Sequence, residues 1–118
     1  MEEHLYYYRA LVRSVYDGDT CTMDIDLGLG TWVHGEKIRL LRINAPELRG
    51  DSRVAGTAAR DFLRSQIDGR EVWINTVKDK RGKYGRYLAE IWLKQEAGDW
   101  ININDAIVAA GHAVYADY

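Results

Sequence analysis

Thr20-Cys21-Thr22-Met23-Asp24-Ile25-Asp26-Leu27 decides how the rest of the chain folds. Cys21, Met23, Ile25 and Leu27 fall on one face and Thr20, Thr22, Asp24 and Asp26 on the other, the period of a half-buried strand. Asp24 and Asp26 are expected to be solvated on its open face. Gly28-Leu29-Gly30 and Gly35 punctuate the next stretch of chain, predicting a hairpin or long turn before a strand at Ile38–Ile43. Upstream, Arg9–Tyr16 reads as a first strand; downstream, Glu71–Val77 and Tyr87–Lys94 are rich in Val, Ile, Trp and Tyr and read as two more. Between the third and fourth strands, Ala55, Ala58, Ala59, Phe62, Leu63 and Ile67 keep the spacing of one buried helical stripe, ended by Asp68-Gly69. A shorter helix is expected to start at an Asn104 N-cap, bury Ala106, Ile107 and Ala110, and stop at Gly111. Five strands with a helix after the third describe a β-rich α+β fold, a five-stranded OB-type Greek-key barrel with two packed helices. Such a barrel closes its own edges and presents one groove to a ligand.

The 118 residues suit a single domain spanning 1–118. A hydrophobic share of 47% with 29% charged residues fits a globular protein and excludes a disordered one. No run approaches the ~20 apolar residues of a membrane span, so no membrane partner is expected. Met1-Glu2-Glu3-His4 lacks the basic-then-apolar pattern of a secretory signal. A cytoplasmic location is therefore expected for the chain as it stands, and secretion only had a signal been removed. The single cysteine, Cys21, excludes an internal disulfide and sits where a small buried apolar residue belongs. His4, His34 and His112 show no zinc spacing and suit surface or loop roles. The net charge of −2 matters more, because broad grip on nucleic acid comes from many cations releasing counterions. Any such grip here must be local.

Three segments could supply it. Asp17-Gly18-Asp19-Thr20 lies between two strands and is, read alone, a tight turn. Its length and composition do not match an EF-hand loop. Arg39 and Arg42 interrupt an otherwise aliphatic strand, and Asn44-Ala45-Pro46-Glu47 then leaves the sheet at a corner stiffened by Pro46. That corner places an amide oxygen, a carbonyl and a carboxylate together, as a Ca²⁺ shell requires, or else it is merely structural. Lys78-Asp79-Lys80-Arg81-Gly82-Lys83-Tyr84-Gly85-Arg86 is either a solvated hairpin tip or a phosphate grip with Tyr84 ready to stack on a base. Taken together, the segments hold a carboxylate for a hard cation, a second carboxylate free to act as base, and two guanidiniums. That is equipment for cleaving a phosphodiester with a metal-assisted water.

The order D-G-D-T, R-L-x-x-x-x-x-P-E, K-Y-G-R and a closing N-x-A-x-V-x-x-G (Asn104 to Gly111) resembles the staphylococcal-nuclease, or thermonuclease, family over about Arg9 to Val114. The resemblance implies an OB-type barrel and Ca²⁺-dependent hydrolysis of single-stranded DNA and RNA. It also implies roles: Asp19, Asn44 and the carbonyl of Ala45 as metal ligands, Glu47 as the base or water-positioner, Arg39 and Arg86 as phosphate clamps, and Lys83 and Tyr84 as nucleotide contacts. Four features depart from the family pattern. Asn44 stands where an aspartate is usual, and Asp19 is more widely spaced from Arg39, with Gly28 to Gly35 extending the hairpin. The loop after Glu47 is short, which leaves Arg49 and Arg53 near the site. The C-terminal helix of secreted relatives has no counterpart before Tyr118, so Tyr115 and Tyr118 are expected to serve packing.

The leading expectation is a monomeric metal-dependent endonuclease with Ca²⁺ as cofactor and single-stranded nucleic acid as partner. The alternative is a non-catalytic OB-type module that binds nucleic acid or protein; decayed copies of such a domain usually lose several of Asp19, Arg39, Glu47 and Arg86, and this chain keeps all four. A third reading, a barrel with no nucleic-acid role, rests only on the acidic balance of the chain.

Overall fold

Strands form at all five places read from the sequence, the third starting early at Thr31 and ending at Leu40, and their hydrogen bonds close on themselves. The structure is a computed structural model describing residues 6–78 and 87–116; Lys83, Tyr84, Arg86 and Tyr118 lie outside the described residues. In chain order the elements are β1 (Tyr7–Asp17), β2 (Thr20–Gly28), β3 (Thr31–Leu40), β4 (Ile43–Asn44), a 3₁₀ turn (Gly50–Ser52) and α1 (Arg53–Ile67). There follow β5 (Glu71–Lys78), β6 (Tyr87–Lys94), β7 (Trp100–Asn102), α2 (Ile103–Ala109) and β8 (Val114–Tyr115). Strands β3, β2, β1, β5 and β6 lie side by side, each antiparallel to the next. β6 then returns to β3 in parallel through Ile38–Tyr87, Arg39–Leu88 and Leu40–Ala89. That pairing makes a five-stranded mixed barrel of OB type and removes the open sheet edges. β7 prolongs the sheet beyond the far half of β6, and β4 pairs with β8 beside the barrel.

The core is aliphatic. Val12, Met23, Ile38, Leu40, Ile74 and Ile91 point inward from the strands and meet Leu63 and Ile67 of α1 and Ile103 and Ile107 of α2, all fully buried. Burying each such side chain stabilises the fold by roughly 1.5–3 kcal/mol. Cys21 is buried among them. Among the described residues no helix is long and apolar enough to cross a membrane.

Tertiary packing overrides the local pattern at several places. Leu27, expected inside, is exposed, because two register shifts between β2 and β3 carry the end of their hairpin clear of the barrel. One of those shifts lies opposite His34 and Gly35 and buries Asp24, expected to be solvated. The Gly35 N–H donates to Asp24 Oδ1 at 2.9 Å, and Arg13 Nε and His34 Nδ1 lie 2.8 and 3.3 Å from Oδ2.

The strand expected at Ile38–Ile43 breaks after Leu40. Arg42 turns left-handed, with φ of 70°, at a cost of about 1–2 kcal/mol for a residue with a Cβ. Its guanidinium offsets that cost by gripping Glu90 at 2.6 and 2.7 Å and Asp105 at 3.1 Å, while lying 5.8 Å from the Tyr115 ring. Tyr115 is 57% exposed, and its hydroxyl donates to Asp105 at 2.9 Å. It therefore packs at the surface rather than in the core.

On α1 the buried stripe is Gly56, Ala59, Leu63 and Ile67; Ala55 and Ala58 face solvent. On α2 the N-cap is Asn102, which accepts from the Asp105 N–H at 2.9 Å, and not Asn104. Asn104 is fully buried, accepting from the Ile91 N–H and donating to the carbonyls of Leu41 and Ala89 at 2.9–3.0 Å. It ties the end of β3 to β6, at the seam where the barrel closes. α2 buries Ile103 and Ile107, whereas Ala110 is exposed.

Candidate functional site

The β1–β2 turn, the end of β3, the corner after β4 and one flank of α1 surround a cleft of about 800 Å³. Two glycines permit this convergence. A Cβ on Gly18 would lie 2.7 Å from the Cβ atoms of both Ala45 and Ala59, so the turn rests against the corner and the helix only because it has none. A Cβ on Gly56 would strike the carbonyl oxygen of Glu47 and lie 3.0 Å from that of Pro46. α1 thus sits directly on the Pro46–Glu47 backbone. Ser52 Oγ donates to the carbonyls of Glu47 and Arg49, each at 3.0 Å, and holds the loop in that shape.

Within the cleft, Asp19 is nearly buried. Its Oδ2 accepts from the Ala45 N–H at 2.9 Å and lies 3.3 Å from Arg39 Nη2, and its Oδ1 accepts from Thr20 Oγ1 at 3.1 Å. The Asp19 N–H donates to Asp17 Oδ1 at 3.0 Å. Burial, reinforced by the charge of Asp19, pushes the Asp17 carboxyl up to about 6. The Arg39 side chain is only 5% exposed. Its Nη1 donates to the carbonyls of Leu40 and Ile43 at 2.9 and 3.1 Å, and its Nη2 to Asn44 Oδ1 at 3.1 Å. One guanidinium therefore fixes Asp19, Asn44 and the β3 terminus relative to one another. Glu47 differs: its side chain is 69% exposed and, among the described residues, meets Arg49 Nε at 3.2 Å.

The cleft therefore collects Asp19, Arg39, Asn44, Ala45 and Glu47. Lys83, Tyr84 and Arg86, the other residues read as functional, lie outside the described residues. Three cations that the sequence reading did not single out also line the cleft: Lys37, Arg60 and Arg64. Arg64 donates to the Val15 carbonyl at 3.1 and 3.3 Å, and Arg60 meets Asp61 at 3.2 Å. Their signal was a basic pair four residues apart on the flank of the α1 stripe, a spacing that puts both on one side of a helix. With Arg39 they give a chain of net charge −2 a local concentration of positive charge.

Among the described residues no three His, Cys, Asp or Glu side chains converge. The donors at hand are the carboxylates of Asp17 and Asp19, the Asn44 amide and backbone carbonyls. An all-oxygen set suits a hard cation and not zinc. The raised Asp17 carboxyl marks a desolvated carboxylate pair, which a bound cation would relieve. On that chemistry the residues fit a hard cation.

Comparison with known proteins gives a consistent result. The family model for staphylococcal nuclease homologues matches residues 37–118. The thermonuclease of Staphylococcus intermedius is 33% identical over 89 residues, covering 73% of this chain and 49% of that protein. The thermonuclease of Staphylococcus hyicus is 29% identical over 85 residues, 70% of this chain and 47% of that protein. An uncharacterised protein of Methanocaldococcus jannaschii is 28% identical over 134 aligned positions, 96% of this chain and 61% of that protein. The chain thus spans from about half to three-fifths of the length of these curated relatives. On its fold and on the extent of the family match, the chain belongs to the family of staphylococcal nuclease homologues.

Proposed function

We propose that these 118 residues act as one nuclease domain, hydrolysing phosphodiester bonds within single-stranded DNA or RNA with Ca²⁺ as cofactor. The observation that carries the proposal is the convergence of Asp19, Asn44, Ala45, Glu47 and a buried Arg39 in one cation-lined cleft. Asp19, the Asn44 amide oxygen and the Ala45 carbonyl would hold the ion, with Asp17 behind them. When bound, Ca²⁺ supplies Lewis-acid polarisation of a phosphate oxygen. Glu47, exposed to water and held by Arg49, accepts the proton of a water as its oxygen bonds to phosphorus. The bond to the leaving sugar oxygen breaks, and that oxygen gains a proton. Arg39 fixes the cation ligands; Arg39 and Arg86 are assigned the phosphate contacts, and Lys83 and Tyr84 the neighbouring nucleotide. Lys37, Arg60 and Arg64 draw the strand in.

The test is cleavage of labelled single-stranded DNA by wild type, Glu47→Gln and Arg86→Ala across a wide Ca²⁺ range. Activity that a chelator abolishes, and that each substitution lowers by roughly 10²–10³-fold, is expected. Oligonucleotide binding without cleavage at any Ca²⁺ concentration would identify a binding module instead, with the missing charge at Asn44 as the reason.

A further inference from the structure

All four tryptophans of the chain stand on strands outside the core, which is aliphatic. Three of them fall in one row across the sheet. Trp32 of β3 pairs with Asp26 of β2, Asp26 with Arg9 of β1, Arg9 with Trp73 of β5, and Trp73 with Trp92 of β6. Trp32 and Trp73 are 43% and 37% exposed. The guanidinium of Arg9 lies 5.7 Å from the Trp73 ring, and the Trp32 ring is stacked with His34 at 6.5 Å and 10°. Leaving large rings in water is unfavourable. Trp73 and Trp92 stand on adjacent strands, and Trp32 lies further along the same row with Asp26 and Arg9 between it and Trp73, so the row offers separated stacking positions for flat ligands.

We infer that this aromatic row is a second part of the substrate site, where the bases of a single strand stack after it leaves the cleft; the inference rests on the nuclease reading above. Continuity selects this occupant. The strand pair that carries Thr22 and Lys37 in the cleft wall also carries Asp26 and Trp32, four residues further along β2 or about 14 Å at ~3.4 Å per residue. Cations follow the same path. Lys37 stands at the cleft, Arg13 is 58% exposed beside Asp24, and Arg9 lies on the row itself. A strand bound there meets the Arg9 cation beside the Trp73 ring, with Asp26 between Arg9 and Trp32; a cation set among stacking rings is the combination that holds single strands without sequence preference. The β2–β3 hairpin is thus an extension of the binding surface: its register shifts carry Trp32 and His34 beyond the barrel wall.

The test compares oligothymidylates of about 4 and about 12 nucleotides, short and long within the span one OB-type fold can hold. Binding is read by fluorescence anisotropy in chelator, so that catalysis is not involved, and cleavage is measured separately with Ca²⁺. For wild type the longer strand is expected to bind more tightly. In the Trp32→Ala/Trp73→Ala variant its affinity falls by about tenfold or more, from stacking losses of roughly 5- to 150-fold per base, while the short strand binds and is cleaved as before. In cleavage of the long strand, KM rises and kcat holds. Trp32→Phe/Trp73→Phe keeps a ring at both positions and retains most of the affinity, which also serves the test should the alanine variant fail to fold.

Three results overturn the inference while leaving the nuclease reading intact. They are equal affinity of the wild type for both lengths, equal losses for both lengths in the alanine variant, and a wild-type dimer in sedimentation that the variant dissolves. The last would assign the row to a second copy of the chain. Failure of wild type to bind either strand would overturn both readings together.

Discussion

The carbonyl of Glu47 lies against Gly56 so closely that a single methyl group on that glycine would overlap it. The candidate base is therefore positioned from below, through its own backbone, by a helix one turn past its start. In an exposed helix, Gly→Ala stabilises by about 1 kcal/mol. Here the overlap is with backbone, which cannot rotate away, and overpacking of this kind costs roughly 1–3 kcal/mol. Gly56→Ala is accordingly expected to lower stability in urea unfolding. It should also move Glu47, and displacements of about 1 Å can cost about 10²-fold in rate. A fall in kcat with KM retained is the expected signature; a more stable, fully active variant would show that α1 does not position Glu47.

Asn44 reaches the cleft already engaged, its amide oxygen accepting from Arg39 Nη2 at 3.1 Å. Asn44→Asp keeps that acceptor and adds a negative charge beside Asp17 and Asp19. Ligand charge tunes Ca²⁺ affinity, so tightening on the order of tenfold by calorimetry is expected. Without Ca²⁺ the same change adds carboxylate repulsion and should lower Tm, which Ca²⁺ then restores. Unchanged Ca²⁺ affinity would remove Asn44 from the ligand set.

Lys37 and Arg60 both line the cleft, one from β3 and one from α1. Lys37→Gln/Arg60→Gln should weaken oligonucleotide binding uniformly across sequences. Each lost phosphate contact flattens the plot of log affinity against log salt by ~0.7 for a single strand, so the pair should flatten it by about 1.4. A slope equal to that of wild type would place the strand elsewhere.

The barrel was legible because its strands alternate and its turns are marked by glycine, features that local sterics dictate. The carboxylate turn and the Pro46 corner were legible because spacing brings them to neighbouring strand ends. Three things were not. Asn102 and Asn104 are equally good caps by type, and only the β3–β6 seam, formed by residues over a dozen positions away, determines which one is buried. Asp24 had the sequence signature of a solvated residue because a register shift leaves no local trace. Arg60 and Arg64 carry no local mark of the cleft, since which element a helix flank faces depends on the fold of the whole chain.

Asp24 offers a test by pH of the contacts at the base of the hairpin. The Gly35 N–H, with His34 and Arg13 beside it, holds the Asp24 carboxyl below its ordinary value of 3.8. The ionised form is thus favoured in the folded state, and the unfolded chain binds the proton more readily. By linkage, the resulting stability is fully present above about pH 4 and is lost as pH falls through the folded value. Asp24→Asn removes the charge at every pH and leaves Arg13 and His34 without their carboxylate. The Tm of the variant should therefore lie below that of wild type at neutral pH, and the gap should narrow steadily below about pH 4. A gap that stays constant down to pH 2 would show that packing, and not the charge of Asp24, anchors the base of the hairpin.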